Sequence, residues 1–480
     1  MNRPAVPWRL GEVASIACVF SVLAVPAPGA ENARRPNVLM IAVDDLNDWV
    51  GCLGGHPQAK TPNIDRLARR GLVFGNAHCQ APICNPSRVS LMTGMLPSTT
   101  GIYLLSPTQF RRSPALADCL TLPEYLARHG YATFGCGKIY HNSTSRETFQ
   151  AYGPRGGFGP LPKEKINYPT GHRLWDWGEF PESDDQTPDA KVADWAVAQL
   201  RKEHDRPFFL AAGFCRPHVP LYAPKRWWDL YPPEDRIELP EVLAGDRDDI
   251  PQYGKDLTGG IPAPRHAWFV KNRQWHRAVR AYLACVSFVD HQVGRVLDAL
   301  DKSPYAGNTI VVLWGDHGWA LGEKERWAKR ALWQRETGVP LVIAAPGRAA
   351  GAKTAAPAGL IDSYPTLVEL CGLPPNKRLE GHSLVPLLKA PDASREVPTI
   401  CTFWKGNHAV ISERWRYIRY ADGSEELYDI RKDPREWHNL AGDAAYRAVI
   451  QQHAVHLPKV NAEALPGSRG LGSALKGVPD

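Results

Sequence analysis

The sequence predicts an α/β protein built on a doubly wound, mixed but mostly parallel sheet, with a smaller antiparallel α+β subdomain at its C-terminus. Two observations support this class. Short, continuously apolar segments alternate with helix-like stretches over residues 31–375, whereas short alternating strands dominate 376–462. The length of 480 residues fits one large α/β domain followed by a smaller one.

The first thirty residues have the layout of a secretory signal peptide. A positively charged start precedes an apolar stretch over 13–25 and a small-residue end at Ala30. A lipoprotein signal ending at Cys18 is an alternative, although it leaves a very short apolar stretch. No apolar run reaches the ~18–20 residues of a membrane span. We therefore expect residues 1–30 to be removed, no membrane span, and an exported protein that is periplasmic, secreted or, in a eukaryote, lysosomal.

Four apolar runs predict buried parallel strands in the large domain. Their continuous apolar character, rather than an alternation, indicates that both faces of the sheet are covered. Helix-like segments lie between them, as the alternation of strands and helices in this class requires. The predicted strands are 38–43, 207–214, 309–314 and 339–344, and the clearest predicted helices are 61–70, 122–129 and 276–300.

The C-terminal subdomain is predicted from a change in period. Alternating strands occur at 409–411, 415–420 and 426–429, and Asp422-Gly423 is a typical hairpin turn between the last two. A helix over 444–457 completes this part. Residues 463–480, rich in glycine and small residues, are predicted to form a flexible tail.

Charge and cysteine content narrow the possible partners. A net charge of +7 favours anionic ligands in general, but there is no basic run or basic-aromatic motif of the kind that binds nucleic acid, so we expect no nucleic-acid partner. Of ten cysteines, nine remain after loss of the signal, and an odd number in an oxidising compartment leaves at least one thiol unpaired. No zinc-like spacing occurs. Cys84 is the candidate for another role.

Charged side chains follow three of the predicted strands. Asp44 and Asp45 follow the first, Asp316 and His317 follow the strand at 309–314, and His218 comes shortly after another. Because ligands bind beyond the carboxyl ends of such strands, we expect these groups to meet. Clustered carboxylates need a cation, and calcium or magnesium suits oxygen ligands with one imidazole. Alternatively, the paired aspartates only cap the next helix.

Residues 84–94 read CNPSRVSLMTG, and their C-x-P-S-R start and T-G end match the type I sulfatase signature. The chain thus resembles that family, in which a formylglycine-generating enzyme oxidises the cysteine to formylglycine (3-oxoalanine), whose hydrated aldehyde is the nucleophile. The resemblance implies this modification at Cys84. A cysteine met alone would instead be read as a buried structural thiol.

The resemblance extends over most of the mature chain. Residues 130–141 are similar to the second sulfatase signature, which supplies a sulfate-binding lysine, here Lys138, and a catalytic histidine, here His141. Three further segments resemble the iduronate-2-sulfatase branch of this alkaline-phosphatase-like superfamily, in which a histidine such as His317 replaces the asparagine of many sulfatases. These segments are 208–220, 316–329 and 362–372.

The resemblance also implies a mechanism. One calcium ion per subunit would be held by Asp44, Asp45, Asp316 and His317 together with the hydrated formylglycine at position 84. One hydroxyl of that group attacks sulfur and displaces the alcohol, and the other then expels sulfate. His141 would assist this second step by taking a proton.

Four more positions carry over from the family. Arg88, Lys138 and Lys329 are suited to neutralise the oxygens around the metal and the sulfate. His218 would bind the sulfate or protonate the leaving oxygen, a role that an unperturbed pKa near 6.5 allows. Specificity is expected from the loops over 143–185 and 240–275.

The function expected from this resemblance is removal of sulfate from a sulfated saccharide, with the formylglycine-generating enzyme as maturation partner. A phosphoester or phosphonate hydrolase of the same fold is one alternative, although members without a cysteine nucleophile usually use serine or threonine and often bind two metals. A non-catalytic protein that binds sulfated glycans is the other alternative.

Overall fold

The computed structural model describes residues 35–141, 143–169, 172–260 and 263–468, and a few isolated positions before residue 8. The predicted signal peptide falls almost entirely outside these residues. So does 469–480, the larger part of the predicted tail. Leu465, in the earlier part of that tail, is buried and its N–H donates to Gly101 O at 3.1 Å.

An eight-stranded sheet forms the body of the large domain. Its strands, in chain order, are β1 (Asn37–Val43), β2 (Leu72–His78), β3 (Ala132–Gly137), β4 (Ala151–Tyr152), β5 (Phe208–Phe214), β6 (Thr309–Gly315), β7 (Leu341–Ala344) and β8 (Ala352–Gly359). The spatial order is β8-β2-β7-β6-β1-β5-β3-β4. All neighbouring pairs are parallel except those of β7, which runs antiparallel to both β6 and β2.

The predicted mixed, mostly parallel sheet is confirmed, with one correction. The run at 339–344 was expected to be a parallel strand, but its strand, Leu341–Ala344, is antiparallel. Burial on both faces gives a continuous apolar run whichever way the strand points, so the pattern carries no information on direction. Two small pairs lie outside the sheet: Trp177–Glu179 with Leu221–Ala223, and Ala320–Leu321 with Trp327–Ala328.

Helices cover both faces of the sheet. The labelled helices are α1 (Pro62–Ala68), α2 (Cys84–Thr93), α3 (Leu122–Arg128), α4 (Pro188–Leu200), α5 (Trp275–Asp301), α6 (Ser363–Leu370) and α7 (Arg447–Ala454). Shorter α-helices are Pro97–Thr100, Lys225–Trp228, Gln252–Gly259, His266–Lys271, Gln334–Thr337 and Val385–Lys389. Single 3₁₀ turns are Phe110–Arg112, Pro114–Leu116, Ser143–Thr148, Asp184–Gln186, Glu234–Arg236, Ala306–Asn308, Glu323–Glu325, Leu360–Asp362 and Ala444–Tyr446.

Two hydrophobic cores lie on opposite faces of the sheet, and strand β1 contributes to both. Its alternate residues Leu39, Ile41 and Val43 pack with α1, α4 and α5, whereas Val38, Met40 and Ala42 pack with α2, α3 and α6. This double burial explains the unbroken apolar run of the strand. Among the described residues, no helix is both long and apolar enough to cross a bilayer.

The C-terminal region forms the predicted antiparallel sheet. Its strands are β9 (Thr399–Thr402), β10 (His408–Ile411), β11 (Trp415–Arg419) and β12 (Glu425–Asp429), in that order. The hairpin turn lies at the predicted place, with Gly423 at a φ of 90°. One face packs on the core of the large domain and the other on α7. The boundary at 375/376 stays a prediction.

A buried polar network joins this sheet to the segment 323–337 of the large domain. Arg416, on β11, forms an ion pair with Glu436 and donates to Leu332 O at 2.9 Å. Glu436 in turn accepts a hydrogen bond from the backbone N–H of Gln334 at 2.7 Å. Glu426, on β12, accepts from Trp333 Nε1 at 2.8 Å. The C-terminal sheet therefore fixes the segment that contains Lys329.

Candidate active site

The carboxyl ends of three neighbouring strands bring the predicted acidic groups together. β1 lies between β5 and β6, so Asp44 and Asp45 emerge beside Asp316. The Asp44 amide donates to Phe214 O at 3.1 Å and the Asp316 amide donates to Val43 O at 3.2 Å, which continues the sheet hydrogen bonding into the site. All three carboxylates are fully buried.

Asp45 has an unusual backbone conformation. Its φ of 59° lies in the left-handed region, which is uncommon for a residue other than glycine. The Asp45 amide donates to Asp316 Oδ1 at 2.9 Å. The side chain places Oδ1 2.7 Å from Lys329 Nζ and 3.2 Å from His317 Nε2. The local strain thus turns a second carboxylate toward the cluster rather than into the next helix.

Cys84 is the first residue of α2 and points into the same cluster. Its Sγ lies 3.2 Å from His317 Nε2 and accepts from Lys329 Nζ at 3.1 Å. Burial raises the pKa of the thiol, but the charges of Lys138 and Lys329 outweigh this effect and lower it. The start of a ten-residue helix adds a favourable field for negative charge. Position 84 is therefore built to hold an anionic or strongly polarised group.

Arg88 and Lys138 hold the carboxylates in place. Arg88 Nε donates to Asp316 Oδ2 at 2.8 Å and its NH2 lies 3.1 Å from Asp44 Oδ1. Lys138 Nζ forms a short ion pair with Asp44 Oδ2. Burial opposes ionisation of Asp44, yet the charges of Lys138 and Arg88 hold its pKa well below the usual range.

The donor set fits a hard divalent cation. Asp44, Cys84, Asp316 and His317 place ligand atoms within 4.8 Å of one another, and so do Asp44, Asp45, Cys84 and His218. Asp45 Oδ2 is buried without a hydrogen-bond partner, and burial raises the pKa of this carboxyl to about 7. A bound cation would pair with the free oxygen and would favour the ionised carboxylate. Oxygen-rich sites with one imidazole suit calcium or magnesium.

His317 is oriented by its second nitrogen. Its Nδ1 lies 2.9 Å from Gly318 O and donates to it, which turns Nε2 toward the cluster. Burial lowers the pKa of the imidazole, but Asp316, Cys84 and Asp45 outweigh it and raise the pKa to about 9. The negative groups around the ring therefore favour a positive charge at this position, either a proton on the imidazole or a metal ion bound to it.

The two other predicted histidines flank the cluster. Burial, together with the charge of Lys138, lowers the pKa of His141 to about 3, and His141 Nδ1 is buried without a partner. Burial and Lys329 also lower the pKa of His218 well below 6.5, which differs from the unperturbed value assumed from sequence. His218 Nδ1 lies 2.6 Å from Val219 O, and its Nε2 lies 3.8 Å from Asp45 Oδ2.

A cavity of about 380 Å³ opens above Cys84. Trp175 and Trp319 stack at 5.7 Å on one side, and Phe158 stacks on His218 at 4.6 Å on another. Its described lining includes no Asp or Glu. The cavity is therefore an aromatic chamber with a cationic floor, which suits a ring-shaped anionic ligand.

Several of these lining residues were not predicted. Arg330 is the clearest: only 7% of it is exposed, it lines the cavity beside Lys329, and burial lowers its pKa to about 10. Its proximity in sequence to Lys329 was a usable signal. Phe158 and Trp175 come from the loop 143–185, where specificity was expected, but tryptophan and phenylalanine in loops cannot be told from ordinary packing residues by sequence.

A family model described as "Sulfatase" matches residues 36–373, about 70% of the chain. The chain belongs to the sulfatase family. A second model, described as "N-sulphoglucosamine sulphohydrolase, C-terminal", matches 322–463. The resemblance inferred from sequence is thus confirmed, and the protein is a sulfuric ester hydrolase.

Several relatives of this sulfatase are themselves named as sulfatases. A "Sulfatase" from Formosa agariphila is 44% identical over 443 residues and covers 89% of this chain and 87% of the relative. The iduronate 2-sulfatase of Homo sapiens is 35% identical, covering 71% and 65% of the two chains. A delta 4,5-hexuronate-2-O-sulfatase from Bacteroides thetaiotaomicron is 28% identical, covering 90% of each.

Solved structures share the fold of this sulfatase. A 2-O GAG sulfatase superimposes with a TM-score of 0.69 at 26% identity, covering 88% of this chain and 90% of the other. A phosphonate monoester hydrolase of Agrobacterium radiobacter gives a TM-score of 0.70 at 24% identity, covering 90% and 96%. The second likeness concerns the fold alone.

Proposed function

We propose that this sulfatase removes sulfate from a sulfated saccharide after export, with formylglycine formed from Cys84 and one bound calcium ion. One observation carries the proposal. The thiol at the start of α2 lies between Lys329 and His317, at the edge of three buried carboxylates that need a cation. A purely structural thiol needs no such charges around it.

Conversion of Cys84 is supported by the C-x-P-S-R and T-G parts of the signature within 84–94 and by membership of the family. When present, the hydrated aldehyde would supply one hydroxyl to attack sulfur and a second to expel sulfate. A thiol or a serine hydroxyl lacks the second function. The formylglycine-generating enzyme is therefore the maturation partner that this proposal requires.

The calcium ion would be held by Asp44, Asp45, Asp316 and His317, and would lower the pKa of a hydroxyl beside it. Lys329 and Lys138 then supply further positive charge on the side of the sulfate oxygens. Both ammonium groups remain protonated, because the neighbouring carboxylates raise their pKa values in spite of burial. These fixed charges stabilise the transition state without reorganisation.

His141 is suited to accept a proton. With a pKa of about 3 the imidazole is neutral at neutral pH, and its Nδ1 makes no hydrogen bond. The neutral ring is free to receive a hydroxyl proton during release of sulfate, and the proposal requires that the bound sulfate anion raise this low pKa so that the ring becomes a stronger base. This matches the role that the family resemblance implies.

His218 differs from His141 in the nitrogen that it presents to the site. Its Nδ1 proton is directed to Val219 O, so the free Nε2 is an acceptor before substrate binds. A bound sulfate ester brings negative charge next to the ring and raises its pKa, which would allow Nε2 to take a proton and pass it to the leaving oxygen. The acid role of His218 thus depends on occupancy of the site.

A saccharide substrate is supported by the chamber above Cys84. The Trp175–Trp319 pair offers the flat apolar surface on which sugar rings stack, and Arg330 adds a cation on the same side as Lys329. The relatives described above include a delta 4,5-hexuronate-2-O-sulfatase and an iduronate 2-sulfatase. We expect an acidic sulfated sugar rather than a small aryl ester as the natural substrate.

The proposal is tested on protein produced together with a formylglycine-generating enzyme. Mass spectrometry of the peptide that contains residue 84 should show an aldehyde in place of the thiol. The same preparation should hydrolyse 4-nitrophenyl sulfate much faster than 4-nitrophenyl phosphate, and chelation of calcium should abolish the activity. An intact thiol with no turnover would leave a glycan-binding role, detected as calcium-dependent binding without hydrolysis.

The rate comparison also tests the phosphoester or phosphonate alternative. Fold neighbours include phosphonate monoester hydrolases. In the described residues, however, the groups able to bind a metal share Asp44 and Cys84, so they form one cluster rather than two. A faster rate on the phosphate ester would reverse the assignment.

A further inference from the structure

A second cavity, of about 230 Å³, adjoins the catalytic chamber. His141 and Phe158 line both, so these two side chains form the wall between them. The rest of the lining comes from the end of β3 and the residues after it, from Arg146, from the end of β4 and the loop that follows it, and from Cys215 after β5. At this volume it is smaller than typical small-molecule sites of about 300–1,000 Å³, so it suits one functional group rather than a whole sugar.

The charge of this second cavity is positive and uncompensated. Arg146 and Arg155 line it, and none of its described lining residues is Asp or Glu. Within the described part of the chain neither arginine forms an ion pair. Arg146 Nε is buried without a hydrogen-bond partner, and the guanidinium lies 5.5 Å from the ring centroid of Tyr152.

The remaining polar groups of the wall do not supply a counter-charge. Lys138 Nζ is taken up by Asp44 on the catalytic side, and His141 is neutral. Gly156 and Gly157, with φ of 72° and 146°, leave the opposite side of the cavity free of side chains. A partly buried guanidinium with an unpaired nitrogen is costly unless an anion binds to it.

We propose that this second cavity binds a second anionic group of the same saccharide, a sulfate or a carboxylate next to the sulfate ester under attack. The inference rests on the proposed function, since it assumes that a sulfated saccharide occupies the neighbouring chamber. Arginine recognises either oxyanion through paired hydrogen bonds. The enzyme therefore prefers saccharides with at least two anionic groups over those with one.

The test compares binding and turnover in a double variant, R146Q/R155Q. Dissociation constants are measured by calorimetry on a Cys84→Ala background, with a singly sulfated disaccharide of neutral sugars and with two derivatives that carry an additional sulfate or carboxylate. Catalytic kcat/KM is measured for the same sugars and for 4-nitrophenyl sulfate. R201Q is the matched control: it replaces an exposed arginine that follows α4 and precedes the amino end of β5, whereas the site lies at the carboxyl ends of the strands. R146K/R155K tests rescue by charge.

The wild-type protein should bind a doubly charged disaccharide more tightly than the singly charged one, and R146Q/R155Q should reduce that preference about tenfold or more. The additional group whose preference is lost, sulfate or carboxylate, identifies the anion. Turnover of 4-nitrophenyl sulfate should change less than about twofold, because it has one anionic group. R146K/R155K should restore part of the preference, and R201Q should match the wild type.

Two results would overturn the inference. One is an equal effect of R146Q/R155Q on all sugars, including no effect. The other is weaker inhibition by inorganic sulfate with an unchanged preference among sugars, which would assign the cavity to released sulfate. Failure of the proposed function looks different: the wild type would hydrolyse no sulfate ester, while the binding preference and its loss in the double variant would persist.

Discussion

Two arginines show how differently this protein uses buried charge. Arg88, in the active site, and Arg416, on β11, are both fully buried. Arg416 donates to Leu332 O, Thr337 Oγ1 and Gln334 Oε1, and its Nε faces Glu436 Oε1 in an ion pair that lacks hydrogen-bond geometry, so the charge is balanced within the fold itself. Arg88 is also satisfied, but the carboxylates that it holds belong to a cluster that is not.

The contrast lies in what surrounds each arginine. Around Arg416, Glu426 accepts hydrogen bonds from Trp333, Tyr420 and Tyr428. Around Arg88, Asp45 Oδ2 and His141 Nδ1 have no hydrogen-bond partner among the described residues, and Arg330 is a buried cation near them. A polar network whose groups pair with one another stabilises the fold and fixes the position of its residues. Buried polar groups that lack partners cost stability, and this cost is recovered when a ligand binds to them. The four predictions below test this contrast.

Replacement of the proposed nucleophile should have the largest effect. C84S should lower kcat on 4-nitrophenyl sulfate by at least about 10⁴-fold, because serine cannot perform both hydroxyl functions. Its thermal midpoint should stay unchanged or rise, as expected for a site whose charges cost stability. Steady-state kinetics and calorimetry measure the two quantities, and C52A, at a half-buried thiol outside the site, serves as control. An equally active C84S would refute the role of residue 84.

Opening the C-terminal network should instead cost stability. R416M leaves Glu436 buried and unpaired, so the free energy of unfolding should fall by about 3–5 kcal/mol. R416M/E436Q should recover part of this loss. The control R419M removes a half-exposed arginine on the same strand, for which we expect about 0–1 kcal/mol. Urea unfolding measures all three, and a small effect of R416M would remove the contrast.

The pH dependence of stability tests a buried histidine, His408, whose ring nitrogens both have hydrogen-bond partners. Burial lowers the pKa of His408 to about 4, against the opposing hydrogen bond to Asn461. Since the unfolded histidine titrates near 6.5, its contribution to stability is complete above pH 6.5 and is lost as the pH falls toward 4, by up to about 3 kcal/mol. H408Q should flatten the pH dependence of unfolding in this window, whereas H438Q, at an exposed position, should not.

Removal of one proposed metal ligand should give the smallest net change. Asn at position 45 avoids a buried carboxylate whose pKa is about 7, so calcium-free D45N should be more stable than the wild type by about 1 kcal/mol. The rise of the thermal midpoint with calcium should be smaller in D45N, because binding stabilises in proportion to occupancy. The exposed control D298N should behave like the wild type. A D45N protein with a full calcium response would exclude Asp45 as a ligand.

Much of the fold and of the site could be predicted from sequence. Double burial produced unbroken apolar runs at β1, β5 and β6, and their ends placed Asp44, Asp45 and Asp316 correctly at one edge. Cys84 and Arg88 followed from a contiguous motif. These features are local in sequence or depend on parallel neighbours, so pattern alone suffices.

The rest depends on contacts between distant segments. The antiparallel direction of β7 leaves no trace in its composition. Arg330 and Trp175 become cavity residues only when loops about 150 positions apart meet. The pKa of His218, below its ordinary value, results from burial and from Lys329, neither of which its own sequence context reveals.

The network around Glu436 also ties completion of the active site to the end of chain synthesis. Lys329 lies in a segment held by Arg416, Glu426 and Glu436, all of which follow it by more than 80 residues. A nascent chain that has reached residue 400 contains every proposed catalytic residue, yet its Lys329 segment lacks these hydrogen bonds and keeps only its contacts to the large domain, such as that of the Arg330 amide with Pro82 O. Because chains fold from the N-terminus at synthesis rates of about 5–20 residues per second, the last part of the protein to emerge completes the support of that segment. A chain that ends before residue 416 should therefore hold the proposed catalytic lysine less firmly than the full-length protein does.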